Sequence, residues 1–254
     1  MSRTAKSQAQ SFIKQLTTLR FDNVFNPYAD TCPDCDDRDA VATRRSNLAL
    51  VLEAALVKGV DSIWIARDLG YRGGRRTGLA LTDDVHLSSH AELLGTPPLA
   101  RATKGPAVAE RTAKIVWQML RVIDRPIFLW NVFPFHPHEP EDPMSNRCHT
   151  RAEGNACRPL LAWLLEALRP KNIVAIGQDA HKALTGMGVN ATPVRHPSYG
   201  GQREFTHGLA ALYGLSVSGV NGRFQKNDEA SRFRALGGYM AKRSGEAGRD
   251  AALG

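Results

Sequence analysis

Three short apolar runs set the limits on what this chain can fold into. They are Ile63-Trp64-Ile65-Ala66, Ile127-Phe128-Leu129-Trp130-Asn131-Val132 and Asn172-Ile173-Val174-Ala175-Ile176-Gly177. A stretch with apolar residues at helical spacing precedes each one: residues 43–56 (Leu48, Val51, Leu52, Ala55, Leu56), 107–122 (Val108, Ile115, Val116, Met119, Leu120) and 157–168. Strands with no alternation of polar and apolar residues are buried on both faces. Strands that alternate with helices run parallel, because the helix carries the chain back to the starting edge. The pattern predicts an α/β fold, a mostly parallel central sheet flanked by helices on both faces. A helix over 7–18 opens it, a helix at 179–184 follows the third strand, and a short strand over 192–195 and a helix over 205–213 close it. Residues 1–215 form the domain. Beyond residue 216 the apolar pattern decays, and Arg223, Lys226, Arg232, Arg234, Lys242, Arg243 and Arg249 among small residues predict a loosely ordered basic tail over 216–254.

In such a sheet, ligands bind beyond the carboxyl ends of the strands, so the residues just after each run are the candidates for chemistry. After the first run comes Arg67-Asp68, then a loop in which Gly70, Gly73, Gly74 and Gly78 permit tight turns and Arg72, Arg75 and Arg76 add positive charge. Residues 86–105 read as a long surface connection with solvated histidines. Phe133-Pro134-Phe135-His136-Pro137-His138-Glu139-Pro140 is too proline-rich to continue a sheet and offers planar faces on which bases stack. His196-Pro197-Ser198 follows the last strand.

The formal charge of +8 and pI near 9.6 favour a polyanionic partner. No apolar run is long enough to span a bilayer, and the first residues lack the apolar core of a secretory signal, so the expectation is a soluble cytoplasmic protein with no membrane partner. No protein partner is inferable. Cys32, Cys35, Cys148 and Cys157 then read as thiols or metal ligands rather than structural disulfides. Cys32-Pro33-Asp34-Cys35 has the spacing of half a metal site, but Asp34, Asp36 and Asp37 disfavour gathering further anionic thiolates beside it.

Ala66-Arg67-Asp68-Leu69-Gly70-Tyr71 with Gly78-Leu79-Ala80-Leu81, then Leu129-Trp130-Asn131-Val132, then His196-Pro197-Ser198, resemble the successive motifs of the uracil-DNA glycosylase superfamily. Ser145-Asn146-Arg147 with Glu153, Cys157-Arg158-Pro159-Leu160-Leu161, and Val174-Ala175-Ile176-Gly177 with Ala180 extend the resemblance, which spans roughly residues 22–214. It implies a three-layer αβα fold and a monofunctional glycosylase that flips a nucleotide out of DNA and hydrolyses its base–sugar bond. No cofactor is needed for that chemistry. By resemblance, Asp68 orients a water and stabilises the positive sugar, and His196 donates a hydrogen bond to the departing base. Asn131 pairs with the base's amide edge. Ser198 grips a phosphate, and Arg67, Arg72, Arg75 and Arg76 attract the DNA backbone.

Departures from the family bear on specificity. Gly70 stands where the uracil-specific branch carries a Tyr that excludes thymine, and Leu81 replaces the Phe on which uracil stacks, a role open to Phe133 or Phe135. Tyr199 stands in the loop that carries the family's wedge. Relaxed specificity for uracil or a related deaminated base is the expectation. Gly177-Gln178-Asp179 mimics the uracil branch's catalytic motif, but its place after the third strand makes Asp179 a helix N-cap. The resemblance puts Cys157 on the fourth ligand of the iron-sulfur branch and Cys32 and Cys35 on the first pair. Phe135 takes the third ligand's place, and Cys148 lies thirteen residues later. An iron-sulfur cluster or zinc on these cysteines, or four reduced thiols, both remain open. Two other functions compete with the glycosylase: a catalytically silent nucleic-acid-binding relative of the same fold, and a small-molecule nucleoside hydrolase.

Overall fold

A computed structural model describes residues 3–216 of the chain. Helix α1 (Arg3–Thr18) buries Ala5, Ala9, Phe12, Ile13 and Leu16, one stripe of its surface. After the two-residue strand β1 (Val24–Phe25), helix α2 (Ala40–Lys58) packs on α1 and ends where Gly59 takes a positive φ of 74°. Strand β2 (Ser62–Asp68) leads into the one-turn helix α3 (Gly74–Thr77), then α4 (Leu87–Leu94) and α5 (Arg111–Ile123). Strand β3 (Ile127–Phe133) is buried along its whole length, and β4 (His136–Pro137) follows. Helix α6 (Arg151–Leu168), β5 (Asn172–Ile176), α7 (Gln178–Thr185), β6 (Thr192–Val194) and α8 (Gln202–Leu212) complete the described chain.

The main sheet has the order β3-β2-β5-β6 and is parallel throughout. Its register sets Ala66 opposite Asn131 and Asp68 opposite Phe133, so the carboxyl ends of the inner strand β2 and the edge strand β3 finish level. Side chains alternate between faces along a strand. Ile63, Ile65, Phe128, Trp130 and Val132 join Phe12, Leu16, Leu48, Leu52, Leu161 and Leu164 in one core cluster, which places α1, α2 and α6 on that face. Trp64 points the other way, edge-on to Phe205 of α8 at 6.3 Å. Each fully buried aliphatic or aromatic side chain contributes roughly 1.5–3 kcal/mol. The expected α/β sheet with helices on both faces is what the chain forms.

Two local expectations fail. Residues 86–105 are not a solvated connection, for Leu87, His90, Ala91 and Leu94 repeat at helical spacing and are buried in α4. His90 is 1% exposed and His86 lies parallel to Trp117 at 5.9 Å. Nor does the proline-rich stretch leave the sheet regime altogether: His136 and Pro137 pair antiparallel with Phe25 and Val24 in a separate two-stranded sheet. The basic tail expected over 216–254 lies, Ser216 apart, outside the described residues. Among those described, no helix is long and apolar enough to cross a membrane.

Candidate active site

The carboxyl ends of β2, β3, β5 and β6 share one edge of the sheet, and Asp68, Asn131 and His196 lie near or just beyond the ends of β2, β3 and β6 there. Asp68 closes β2 with its side chain only 6% exposed. Its Oδ2 lies 2.5 Å from Nε of Arg67, and its Oδ1 accepts from Nδ1 of His149. The other end of Arg67 reaches Asp179, Nη1 to Oδ2 at 3.0 Å. Burial works against the Arg67 charge, yet Asp68 and Asp179 outweigh it and hold its pKa above the ordinary value. Asp179 is therefore an ion-pair partner in the first turn of α7, and Gly177 holds the cap position assigned to it.

His196 leaves β6 beside the same arginine. The backbone N–H of Ser198 donates to its Nδ1 at 3.2 Å, and Ser198 Oγ lies 2.7 Å from that nitrogen. A backbone N–H can only donate, so Nδ1 is the acceptor and the neutral ring carries its proton on Nε2. Burial, followed by the charges of Arg67 and Arg195, pushes the pKa of His196 down to about 4. At neutral pH the residue is thus an uncharged Nε2–H donor. Gly177, with φ of 88°, makes room for it, since a Cβ there would sit 3.3 Å from His196 Cβ.

Asn131, in the middle of the edge formed by β3, is 1% exposed and its Oδ1 has no hydrogen-bond partner among the described residues. An unsatisfied buried acceptor costs about 1–3 kcal/mol and is retained where a ligand or water completes it. Ser198 is half-buried behind His196, while Tyr199, at φ 49°, stands 97% exposed beyond it. Arg72 is exposed and lies against the Tyr71 ring, 5.6 Å from its centroid.

Other predicted residues are elsewhere. Arg75 and Arg76 are buried and cannot serve as DNA contacts in this arrangement. Arg76 pairs with Asp84 at 2.9 Å and donates to Thr103 at 2.9 Å. Arg75 lies 3.9 Å over the Phe25 ring and donates to Nδ1 of His136 at 3.1 Å. Burial, then the charge of Arg75, pushes His136 down to about 4; with Nδ1 accepting from Arg75, its Nε2–H donates to Ser145 O at 2.7 Å. Phe133 has no free face for a base, because His149 stacks on it at 5.4 Å and Phe21 and Phe135 meet its edges. Leu81 is buried at a positive φ of 54°, held by Trp117 Nε1 donating to its carbonyl at 3.1 Å. The space beside Gly70 is not an open gap: a Cβ there would lie 2.9 Å from Oε1 of Glu110, whose carboxyl also presses on Gly73. Burial, then the charge of Asp83, raises Glu110 to about 7 against the pull of Arg72.

The cysteines do not assemble as a metal site. No group of three or more His, Cys, Asp or Glu side chains among the described residues is placed to hold an ion. Cys157 is packed in the core, where burial and Glu153 push it to about 12, and Cys148 is exposed. Burial works against the Cys32 thiolate, yet Cys35 and the guanidinium of Arg75 hold its pKa below the ordinary value. The donor set does not fit a four-thiolate cluster.

His149, Glu110 and Asp179 are the participants that the sequence reading did not place in the site. The clue to His149 was present: Thr150-x-x-Glu153 is a capping box, Thr150 Oγ1 accepting from Glu153 N at 3.2 Å and Glu153 Oε2 from Thr150 N at 2.6 Å. That box starts α6 at Arg151, six residues before the expected start, and leaves His149 at the helix mouth.

The family model of the uracil DNA glycosylase superfamily matches residues 85–212, which include Glu110, Asn131, His149 and His196 and exclude Asp68. Fourteen chains of solved structure match, among them wild-type Pedobacter heparinus SMUG2, at 13% identity, covering 81% of this chain and 95% of that one with a TM-score of 0.50. At that identity the likeness speaks for the fold. No curated protein matches the chain. With a family match over half its length and the fold to go with it, the chain belongs to the uracil DNA glycosylase superfamily.

Proposed function

We propose that the protein is a monofunctional DNA glycosylase that hydrolyses the N-glycosidic bond of uracil or a related deaminated base, with relaxed base specificity. One observation carries the reading: a neutral imidazole with its proton on Nε2 and a buried aspartate flank the same arginine at the sheet edge. Base–sugar cleavage develops negative charge on the departing base and positive charge on the sugar. His196 Nε2–H meets the first without a full positive charge of its own, and Asp68 the second. Asn131 Oδ1 accepts from the imide N–H of the base, which completes its unmet hydrogen bond. Tyr199 enters the space that the flipped nucleotide leaves. Arg72 and Ser198 hold the backbone. Relaxed specificity rests on the missing aromatic contacts: position 70 carries no ring, and Leu81 and Phe133 are both buried away from a base.

The engagement of both Asp68 oxygens, by Arg67 and His149, favours a second reading, a catalytically silent DNA binder. A gel assay on oligonucleotides carrying uracil, hypoxanthine, xanthine or a thymine mismatch separates the two. The glycosylase reading requires cleavage of at least the uracil strand, abolished in Asp68→Asn with DNA binding retained. Absence of cleavage across the panel, with binding intact, supports the silent relative instead.

A further inference from the structure

We infer that His149 is a positioning residue for Asp68, fixing the carboxylate so that its remaining lone pairs face the water it must orient; this rests on the glycosylase reading above. A carboxylate only accepts, so the imidazole donates through Nδ1. Arg67 Nε holds the second oxygen. With one lone pair of each oxygen bound, the plane of the carboxyl group is set, and each oxygen keeps a second lone pair for water.

The imidazole is itself held from three sides. Its face lies on Phe133 at 5.4 Å, 29° from parallel. Its far edge rests on Gly154, where a Cβ would come within 2.9 Å of both Cδ2 and Nε2, so any larger residue at 154 would push the ring off. The loop that carries it is pinned. Arg147 pairs with Glu153 at 2.7 Å and donates to His138 O at 3.0 Å, and Asn146 Oδ1 accepts from Tyr71 N at 3.1 Å in the loop beyond β2. Thr150 and Glu153 close the capping box directly after it. A histidine 81 residues from Asp68 is thus tied both to the catalytic strand's end and to the helix behind it. Nothing else among the described contacts of His149 requires a hydrogen-bonding ring; packing on Phe133 and Gly154 alone would accept an apolar one. Supporting groups of this kind change turnover by about 10–100-fold when removed.

The test is single-turnover excision of uracil from an oligonucleotide by the full chain, alongside DNA binding and thermal melting. His149→Ala is expected to lower the cleavage rate about 10–100-fold with DNA affinity nearly unchanged. His149→Asn keeps a donor close to the Nδ1 position and should recover most of the loss. Gly154→Ala should lower the rate in the parent but add nothing to His149→Ala, because its effect passes through the ring. Wild-type rates in His149→Ala beside an inactive Asp68→Asn overturn the positioning role and leave the glycosylase reading standing. Equal losses in His149→Ala and His149→Asn, with melting temperatures lowered alike, also overturn it, pointing to packing alone. Failure of the wild-type protein to cleave any base in the panel removes the glycosylase reading and this inference with it.

Discussion

Replacing Glu110 by glutamine separates a buried charge from the shape that bears it. The carboxyl lies against Gly70 and Gly73, where burial and the neighbouring Asp83 raise its pKa from 4.5 to about 7 despite Arg72. Between those two pH values the folded protein holds a proton that the unfolded chain has released. The folded state then binds more protons, so its stability falls as pH rises through that window and stays low above it. At about 1.4 kcal/mol per pKa unit, the deficit approaches roughly 3 kcal/mol by pH 8 as an upper bound. Glutamine has nearly the shape of the neutral acid and never ionises. Urea denaturation of both proteins across a pH series isolates the effect, because every other titrating group cancels in the difference. The expected gap is near zero at pH 4, about 1 kcal/mol at pH 5 and about 3 kcal/mol in favour of Glu110→Gln at pH 8. A gap independent of pH, or a variant less stable at pH 8, refutes the claim that this carboxyl is desolvated against the loop.

His90, at about 3, and His136 and His196, each at about 4, are neutral when folded. Their folded pKa values lie below the unfolded one, so stability should drop as pH falls from about 6.5 towards 4, by up to about 4 kcal/mol per pH unit for the three together; a flat melting profile over that range contradicts their burial. Arg76→Ala strands the buried Asp84 carboxylate and should destabilise the fold by about 3–5 kcal/mol, whereas Arg72→Ala should leave melting unchanged and weaken DNA binding in a salt-dependent way; the reverse pattern would restore Arg76 as a DNA contact. Gly177→Ala forces a side chain into positive φ and against His196, so it should cost about 1–2 kcal/mol in stability and lower turnover further; parent-like behaviour in both assays rules out that tight packing.

Three of the four parallel strands were legible because their apolar runs are short, bounded and spaced by helices. Asp68, Asn131 and His196 could be assigned to one edge for the same reason: a parallel sheet presents all its carboxyl ends together. The fates of Arg75 and Arg76 were not legible. Whether a basic loop faces solvent or turns inward depends on Asp84, Phe25 and His136, which lie outside the loop. Helix α4 is a different kind of miss. Leu87, Ala91 and Leu94 carry its spacing, but the histidines and prolines around them drew the segment towards the surface. The His149–Asp68 contact joins residues whose proximity comes from β3 and α6 packing together, which no local pattern announces.

In the proposed mechanism an acid, an amide and a neutral imidazole act together on one flipped nucleobase. The most direct measurement is the single-turnover rate of uracil excision by the wild-type protein, Asp68→Asn and His196→Ala, with DNA affinity recorded for each. Loss of a preorganised donor to developing charge is worth about 10²–10³ in rate. Expected are cleavage by the wild-type protein, a loss of that size in His196→Ala, a loss at least as large in Asp68→Asn, and affinities within a few-fold of one another. Cleavage that survives both substitutions undiminished would contradict that mechanism.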